Sequence, residues 1–314
     1  MTGDEIRKVA VVGAGTMGPG MAATFARHGF EVRLTDVKPE ILERAKGTVD
    51  VVYKALIGGG FMMEAEAEAG RANLSYTLDL GQAAGDADFI LEAIPEKLDI
   101  KQSFFRDIEK QVRPEAILAS NTSGILITKI AEVVEHPGRV IGMHWSNPPH
   151  MIPVIEVIKG AQTDEATVEA TQRVIERIGM ISVLVKKDVP GFVENRILYA
   201  IMREALHLLD EGVASAEDID TITKWGIGYK LAVIGPLELL DVAGLDIYHS
   251  VASYLNADLS ASSEVSSVIT GKVEEGQLGI KTQGGLFEYK PEEIPALMQR
   301  RVRLLMAVKK TLSQ

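Results

Sequence analysis

The chain has 314 residues, 46% apolar and 25% charged, enough for a sizeable soluble core in one large or two smaller domains. A net charge of −11 argues against nucleic acid as a partner. The absence of cysteine removes disulfides, thiolate nucleophiles and Cys-rich zinc sites, and no metal is expected. No apolar run is long enough to span a membrane, and MTGDEIRKVAVVG lacks a signal-peptide core. A cytoplasmic protein without a membrane partner is expected.

The first predicted strand, KVAVV, leads into Gly13-Ala14-Gly15-Thr16-Met17-Gly18. This G-x-G-x-x-G between a strand and a helix suits a dinucleotide: one glycine for the tight turn, one for pyrophosphate approach, one for helix–strand packing. The second strand, EVRLT, ends in Asp36, 18 residues after Gly18. An acidic side chain there can hold the ribose hydroxyls of NAD and repel the extra phosphate of NADP. Residues 50–72 break the rhythm and are predicted to form an inserted helical hairpin turning at Gly58-Gly59-Gly60. Strands FILEAI, AILAS, RVIGMH, VIEVI and ISVLVK follow, most of them separated by helical stretches. The alternation predicts an α/β, Rossmann-type domain with a mainly parallel sheet over residues 1–188. RVIGMH ends in His144, at the strand end where ligands bind in this architecture. Glu156 lies inside the apolar run PVIEVI and needs a partner, because an unpaired buried carboxylate is costly. His144 is the candidate, and such a pair suits proton transfer coupled to hydride transfer. After Asp188 the pattern turns helical: FVENRILYAIMREALHLLDEG reads as one long amphipathic helix stopping at Gly212, and residues 189–314 are predicted to form an all-helical C-terminal domain. Its apolar surplus predicts a homodimer.

The motifs GAGTMG, LEAIPEKLDIKQSFF, SNTSG, GMHWSNPPHMIPVIEVI, PGFVENRIL, GPLELLDVAGLD and LGIKTQGGLFEY, in that order, resemble the L-3-hydroxyacyl-CoA dehydrogenase family along essentially the whole chain. The resemblance implies an NAD-dependent dehydrogenase with His144 as general base and Glu156 as its orienting partner. It implies that Ser123 and Asn195 bind the substrate oxygen, with Asn147 assisting. It also implies Thr16, Met17, Glu96, Lys101 and Asn121 around the cofactor, and a dimer. Read from the residues alone, Ser123 could instead cap the following helix, and Asn195 could satisfy backbone at the start of the long helix.

Two features depart from the acyl-CoA pattern. The family usually has two aromatic residues after the histidine; here Trp145 is followed by Ser146. The hairpin, which in acyl-CoA members helps hold CoA, carries Glu64, Glu66 and Glu68. HWSNPPHMIPVIEVI, VKKDVPGFVENRILYA and WGIGYKLAVIGP are similar to another branch of the family, which acts on a small carboxylated pyridine aldehyde. That similarity implies a small carboxylated alcohol or aldehyde as substrate, its carboxylate met by His150, Arg196, Arg203 or Lys230. The alternatives are a 3-hydroxyacyl-CoA dehydrogenase and a dinucleotide-binding protein without catalysis.

Overall fold

The computed structural model describes residues 1–312. Eight strands form one sheet: β1 (Lys8–Val12), β2 (Glu31–Thr35), β3 (Leu74–Thr77), β4 (Phe89–Glu92), β5 (Ile117–Ser120), β6 (Val140–Trp145), β7 (Val154–Ile158) and β8 (Ile181–Val185). Their order is β3-β2-β1-β4-β5-β6-β7-β8. Every pairing is parallel except β6 with β7. Strands are added outward from β1 to β3 and then, from β4 onward, on the other side of β1, which leaves a crevice beyond the C-terminal ends of β1 and β4. Seven of these strands match predicted runs. The eighth, β3, is a four-residue edge strand with one buried side chain, too short and too polar to carry a pattern.

Helices α1 (Gly18–Arg27), α2 (Pro39–Gly58), α3 (Glu64–Ala72), α4 (Leu80–Ala84), α5 (Leu98–Ile108), α6 (Ile127–Ala131) and α7 (Glu165–Arg177) cover the sheet. The hairpin is present, but it is no separate insertion. Its first arm is the C-terminal half of α2, which starts at Pro39 directly after β2; α3 is its second arm, and the pair is the β2-to-β3 crossover. Gly60, at φ +74°, makes the turn.

Strand alternation sends side chains to two faces. Val9 and Val11 join Phe25, Val32, Leu34 and Phe89 in one cluster, whereas Ala10 and Val12 join Ile90, Phe105 and Leu118 in the other. Phe25 anchors the first, with the rings of Phe30, Phe89 and Trp145 at centroid distances of 5.4, 6.4 and 5.9 Å. Burying one such ring stabilises the fold by about 1.5–3 kcal/mol.

The chain falls into two compact units. The first is Met1–Asn195 with Leu305–Lys309; the second starts at Arg196. Residues 189–195 stay with the first unit because they hydrogen-bond into its sheet. The second unit is helical: most of α8 (Glu194–Asp210), then α9 (Ala216–Ile222), a π-helical stretch at Thr223–Gly228, α10 (Tyr229–Leu231), α11 (Pro236–Ala243), α12 (Leu245–Leu255), α13 (Ser267–Glu274) and much of α14 (Ile294–Leu312). Gly212 follows α8 at φ +66°, the left-handed stop expected there. The long helix begins at Glu194 rather than near residue 190, because Gly191 and Phe192 have φ of +76° and +50° and cannot be helical.

Candidate active site

The loop from β1 to α1 is built by three differently constrained glycines. Gly13 has φ +105°, and a Cβ there would fall 2.4 Å from the Ala93 carbonyl oxygen. A Cβ on Gly18 would fall 1.9 Å from the Gly13 carbonyl oxygen. Gly15 has nothing within 4 Å of its Cβ position. Its lack of a side chain meets no demand of the fold, so the space it leaves suits a ligand's approach. Helix α1 begins here with no side-chain cap and no acidic residue in its first turn, which leaves its N–H groups and positive end available to phosphate. Thr16 is exposed and Met17 half-buried at this mouth. Asp36, at the end of β2, accepts the Ala14 N–H at 2.9 Å and the Lys38 N–H at 3.2 Å. Its carboxylate is thereby fixed beside the glycine loop. These features fit a bound dinucleotide.

A buried polar network lies beyond β4 and β5. Glu92, wholly buried, accepts from Lys101 Nζ at 2.6 Å, from Ser120 Oγ at 2.6 Å and from the Ile94 N–H at 2.8 Å. Burial pushes the Glu92 carboxyl up, against the pull of Lys101 and its other donors. Lys101, 1% exposed, reaches Glu96 at 3.2 Å as well. Burial alone would raise Glu96. The Thr122 hydroxyl at 2.5 Å, the Lys101 charge and the Ser123 N–H at 2.8 Å outweigh it and hold Glu96 below the usual carboxylate range. Asn121 Oδ1 accepts the Trp145 N–H at 2.9 Å, tying the end of β5 to β6. Lys101 thus pairs with two carboxylates, and Asn121 Oδ1 with backbone.

His144 and Glu156 stand directly opposite each other in the antiparallel β6–β7 pair. This register brings together two residues twelve positions apart: His144 Nδ1 lies 2.8 Å from Glu156 Oε2, and both are buried. Glu156 Oε1 accepts the N–H groups of Val193 at 2.9 Å and Glu194 at 3.1 Å. Burial would raise its pKa, but the His144 hydrogen bond and the two backbone donors hold it below the usual value. The donors are delivered by Gly191 and Phe192. Phe192 is fully buried with its ring 5.8 Å from the His144 ring, and its left-handed backbone turns the next two N–H groups onto the carboxylate. A left-handed bulky residue costs on the order of 1–2 kcal/mol, and such strain concentrates at functional sites.

Asn195, at the start of α8, donates Nδ2 to the Ser123 carbonyl at 2.9 Å, which joins the substrate-oxygen candidates across the site. Asn195 does satisfy backbone, though not that of its own helix. Ser123 caps no helix; the turn before α6 is held by Thr122 Oγ1, which accepts the Ile125 N–H at 3.0 Å. Asn147, three residues after His144, is exposed. His150 is half-buried. Its ring packs against α1 at Gly20, and burial, with Lys309 and Arg27 nearby, pushes its pKa down to about 4. These surroundings favour the neutral ring. Arg203 and Lys230 lie in the second unit. On the hairpin, Glu66 accepts the Met63 N–H at 2.6 Å and Glu64 lies 3.7 Å from Arg71, so two of the three glutamates have structural tasks at the start of α3.

Glu92, Ser120, Ser146 and Glu194 belong to the site and were not singled out from sequence. Ser146 Oγ donates to Glu194 Oε2 at 2.5 Å. The one usable signal was a charged residue inside the apolar run FILEAI, the same signal that marked Glu156. His144, Glu156 and Glu194 offer ligand atoms within 4.8 Å of one another, a spacing seen in metal sites, although His144 Nδ1 and Glu156 Oε2 are already bonded to each other.

Comparison with known proteins bears on this geometry. Residues 8–189 match the model of the 3-hydroxyacyl-CoA dehydrogenase NAD-binding domain, and residues 191–289 that of the 3-hydroxyacyl-CoA dehydrogenase C-terminal domain. The chain is 48% identical to 5-formyl-3-hydroxy-2-methylpyridine 4-carboxylate 5-dehydrogenase of Mesorhizobium japonicum, over 98% of each chain. It is 39% identical to a probable 3-hydroxybutyryl-CoA dehydrogenase of Deinococcus radiodurans, over 90% of this chain and 100% of that one. A crystal structure of the first kind of enzyme, described as an NAD+-dependent dismutase, superposes with a TM-score of 0.92 at 48% identity, covering 98% of this chain and 99% of the other. The (S)-3-hydroxybutyryl-CoA dehydrogenase of Ralstonia eutropha superposes with a TM-score of 0.75 at 35% identity, over 91% and 99%.

Proposed function

We propose a function that proceeds from family membership: the chain belongs to the 3-hydroxyacyl-CoA dehydrogenase family and is an NAD-dependent dehydrogenase. Its substrate, in this reading, is a small carboxylated aldehyde or alcohol of the 5-formyl-3-hydroxy-2-methylpyridine 4-carboxylate type. The observation that carries the reading is the 48% identity running through 98% of both chains. The 3-hydroxybutyryl-CoA dehydrogenases pair with only about nine-tenths of this chain at lower identity.

The Gly13–Gly18 loop and Asp36 would hold NAD, which would supply the hydride acceptor. His144 presents Nε2 to the substrate hydroxyl and accepts its proton, since Nδ1 is engaged with Glu156. The carboxylate fixes the tautomer and stabilises the imidazolium that forms. Ser123 and Asn195 orient the substrate oxygen, and Asn147 lies beside it. The protein acts as a homodimer, and its cysteine-free chain suits the cytoplasm.

A second reading, 3-hydroxybutyryl-CoA dehydrogenase, has one observation in its favour: the structural tasks of Glu64 and Glu66 weaken the case that the hairpin repels CoA. A screen of NADH absorbance separates the two, with acetoacetyl-CoA and the pyridine aldehyde acid compared in both redox directions. Efficient turnover of acetoacetyl-CoA, at a kcat/KM of roughly 10⁵ M⁻¹s⁻¹ or more, would replace the first reading with the second. On the preferred substrate, His144→Ala lowers kcat by orders of magnitude with little change in NAD affinity, and Glu156→Gln slows turnover less. The double variant is little worse than His144→Ala, because members of one catalytic unit are non-additive. Additive losses would mean that Glu156 acts independently.

A further inference from the structure

We propose that Glu194 is a second acceptor at the reacting carbon, holding the additional hydroxyl of a hydrated aldehyde while His144 takes the proton of the other. The proposal rests on the substrate class given above.

Placement is the first argument. Glu194 divides its polar groups: the backbone N–H serves Glu156, while the side chain turns to β6, where Oε2 accepts the hydroxyl of buried Ser146 at 2.5 Å. Its carboxylate thereby places an oxygen within 4.8 Å of a ring nitrogen of His144 and of a carboxylate oxygen of Glu156. The two latter side chains are buried, whereas Glu194 is only half-buried and keeps Oε1 for an incoming molecule. An acidic residue in the first turn of a helix is favourable in itself. That preference is met by a carboxylate facing water. It does not require a buried serine that fixes the side chain beside another carboxylate, where like charge is unfavourable.

Chemistry is the second argument. An alcohol carries one hydroxyl on the reacting carbon and needs one base. An aldehyde has no hydroxyl proton to surrender, and its oxidation runs through the hydrate: RCHO + H₂O gives RCH(OH)₂. From the hydrate, the C–H electron pair leaves as hydride to NAD⁺. One O–H proton passes to His144, and its electron pair closes the new C=O bond, giving RCOOH, NADH and protonated His144. The carbon is oxidised and the nicotinamide reduced. Both hydroxyls sit on one carbon, so an acceptor for the second must stand within a few ångströms of the base. Glu194 meets that condition, and a charged acceptor holds a hydroxyl more strongly than a neutral one.

The test uses one aldehyde, 5-formyl-3-hydroxy-2-methylpyridine 4-carboxylate, in two directions. Oxidation with NAD⁺ consumes the hydrate; reduction with NADH consumes the free aldehyde, which has no second oxygen. Glu194→Gln lowers kcat/KM for oxidation by roughly tenfold or more beyond any loss in reduction. Glu194→Asp recovers part of that loss, and Ser146→Ala shifts the ratio in the same direction by less. Thermal unfolding and NADH affinity of each variant report whether the fold and cofactor site are intact. Equal losses in both directions, or a loss confined to reduction, would overturn the role of Glu194 while leaving the substrate reading in place. A wild-type enzyme that oxidises no such aldehyde would overturn the substrate reading, and the proposal with it.

Discussion

Gly13, Gly15 and Gly18 lie within six residues, yet each excludes a side chain for a different reason. Gly13→Ala forces both a left-handed alanine and a contact with the Ala93 carbonyl, so it destabilises the fold and cofactor binding together. Gly15→Ala meets nothing in the protein. It should leave the Tm of the free enzyme nearly unchanged and weaken NAD binding, as thermal unfolding and a cofactor titration would read. A Gly15→Ala variant with unchanged NAD affinity would show that the cofactor does not approach this loop. His150 yields a pH prediction. Its folded pKa of about 4 lies below the ordinary 6.5, so between these values the unfolded chain binds the extra proton. The neutral ring's contribution to stability is therefore full above pH 6.5 and lost as pH falls towards 4. His28, also depressed by burial, acts in the same direction. His150→Gln should shrink the Tm drop between pH 7 and pH 5. An undiminished drop in the variant would remove His150 from the acid response.

Two elements do most to build the site. The antiparallel β6–β7 pair sets His144 opposite Glu156, and a one-residue slip would send one of them to the other face of the sheet. The turn at Gly191–Phe192 then supplies the carboxylate with two N–H groups from the start of α8. Helix α5 contributes the third tie, since Lys101 carries a positive charge to the buried end of β4. Removing one partner of a buried ion pair leaves the other charge uncompensated. Lys101→Met should lower unfolding free energy by about 3–5 kcal/mol in denaturant titration. Adding Glu92→Gln should recover part of the loss, because the stranded charge is gone. If the double variant is no more stable than Lys101→Met, the cost lies in packing of the lysine stem.

At the level of the whole molecule, the second unit exposes an unusual amount of apolar side chain: Tyr199, Leu237, Val242, Ile247 and Tyr254 are each 57–78% exposed. Large exposed apolar surface marks an interface. Sedimentation at micromolar concentration should give a species of about twice the 34.0 kDa chain mass. Leu237→Glu or Ile247→Glu should shift it towards the monomer; a wild-type monomer would contradict the homodimer.

Much of this was determined by the sequence alone, where the physical signal is local. Strand periodicity, the glycine spacing of the first turn, Asp36 at the end of β2 and the helical character after residue 188 each arise within a window of about twenty residues. The pairing of His144 with Glu156 was also legible, because a lone carboxylate in an apolar strand demands a nearby partner. Edge strand β3 was not, since an edge buries too little to impose a pattern. Nor was the left-handed Phe192: a strained backbone leaves no trace in residue type, and φ there is settled by the contacts that hold its ring. The partners of Glu92 and of Glu194 come from 9, 28 and 48 positions away along the chain. Only tertiary structure decides such meetings, because the hydrogen bonds that justify a buried polar side chain are made by residues that sheet order and helix packing, not sequence proximity, bring within reach.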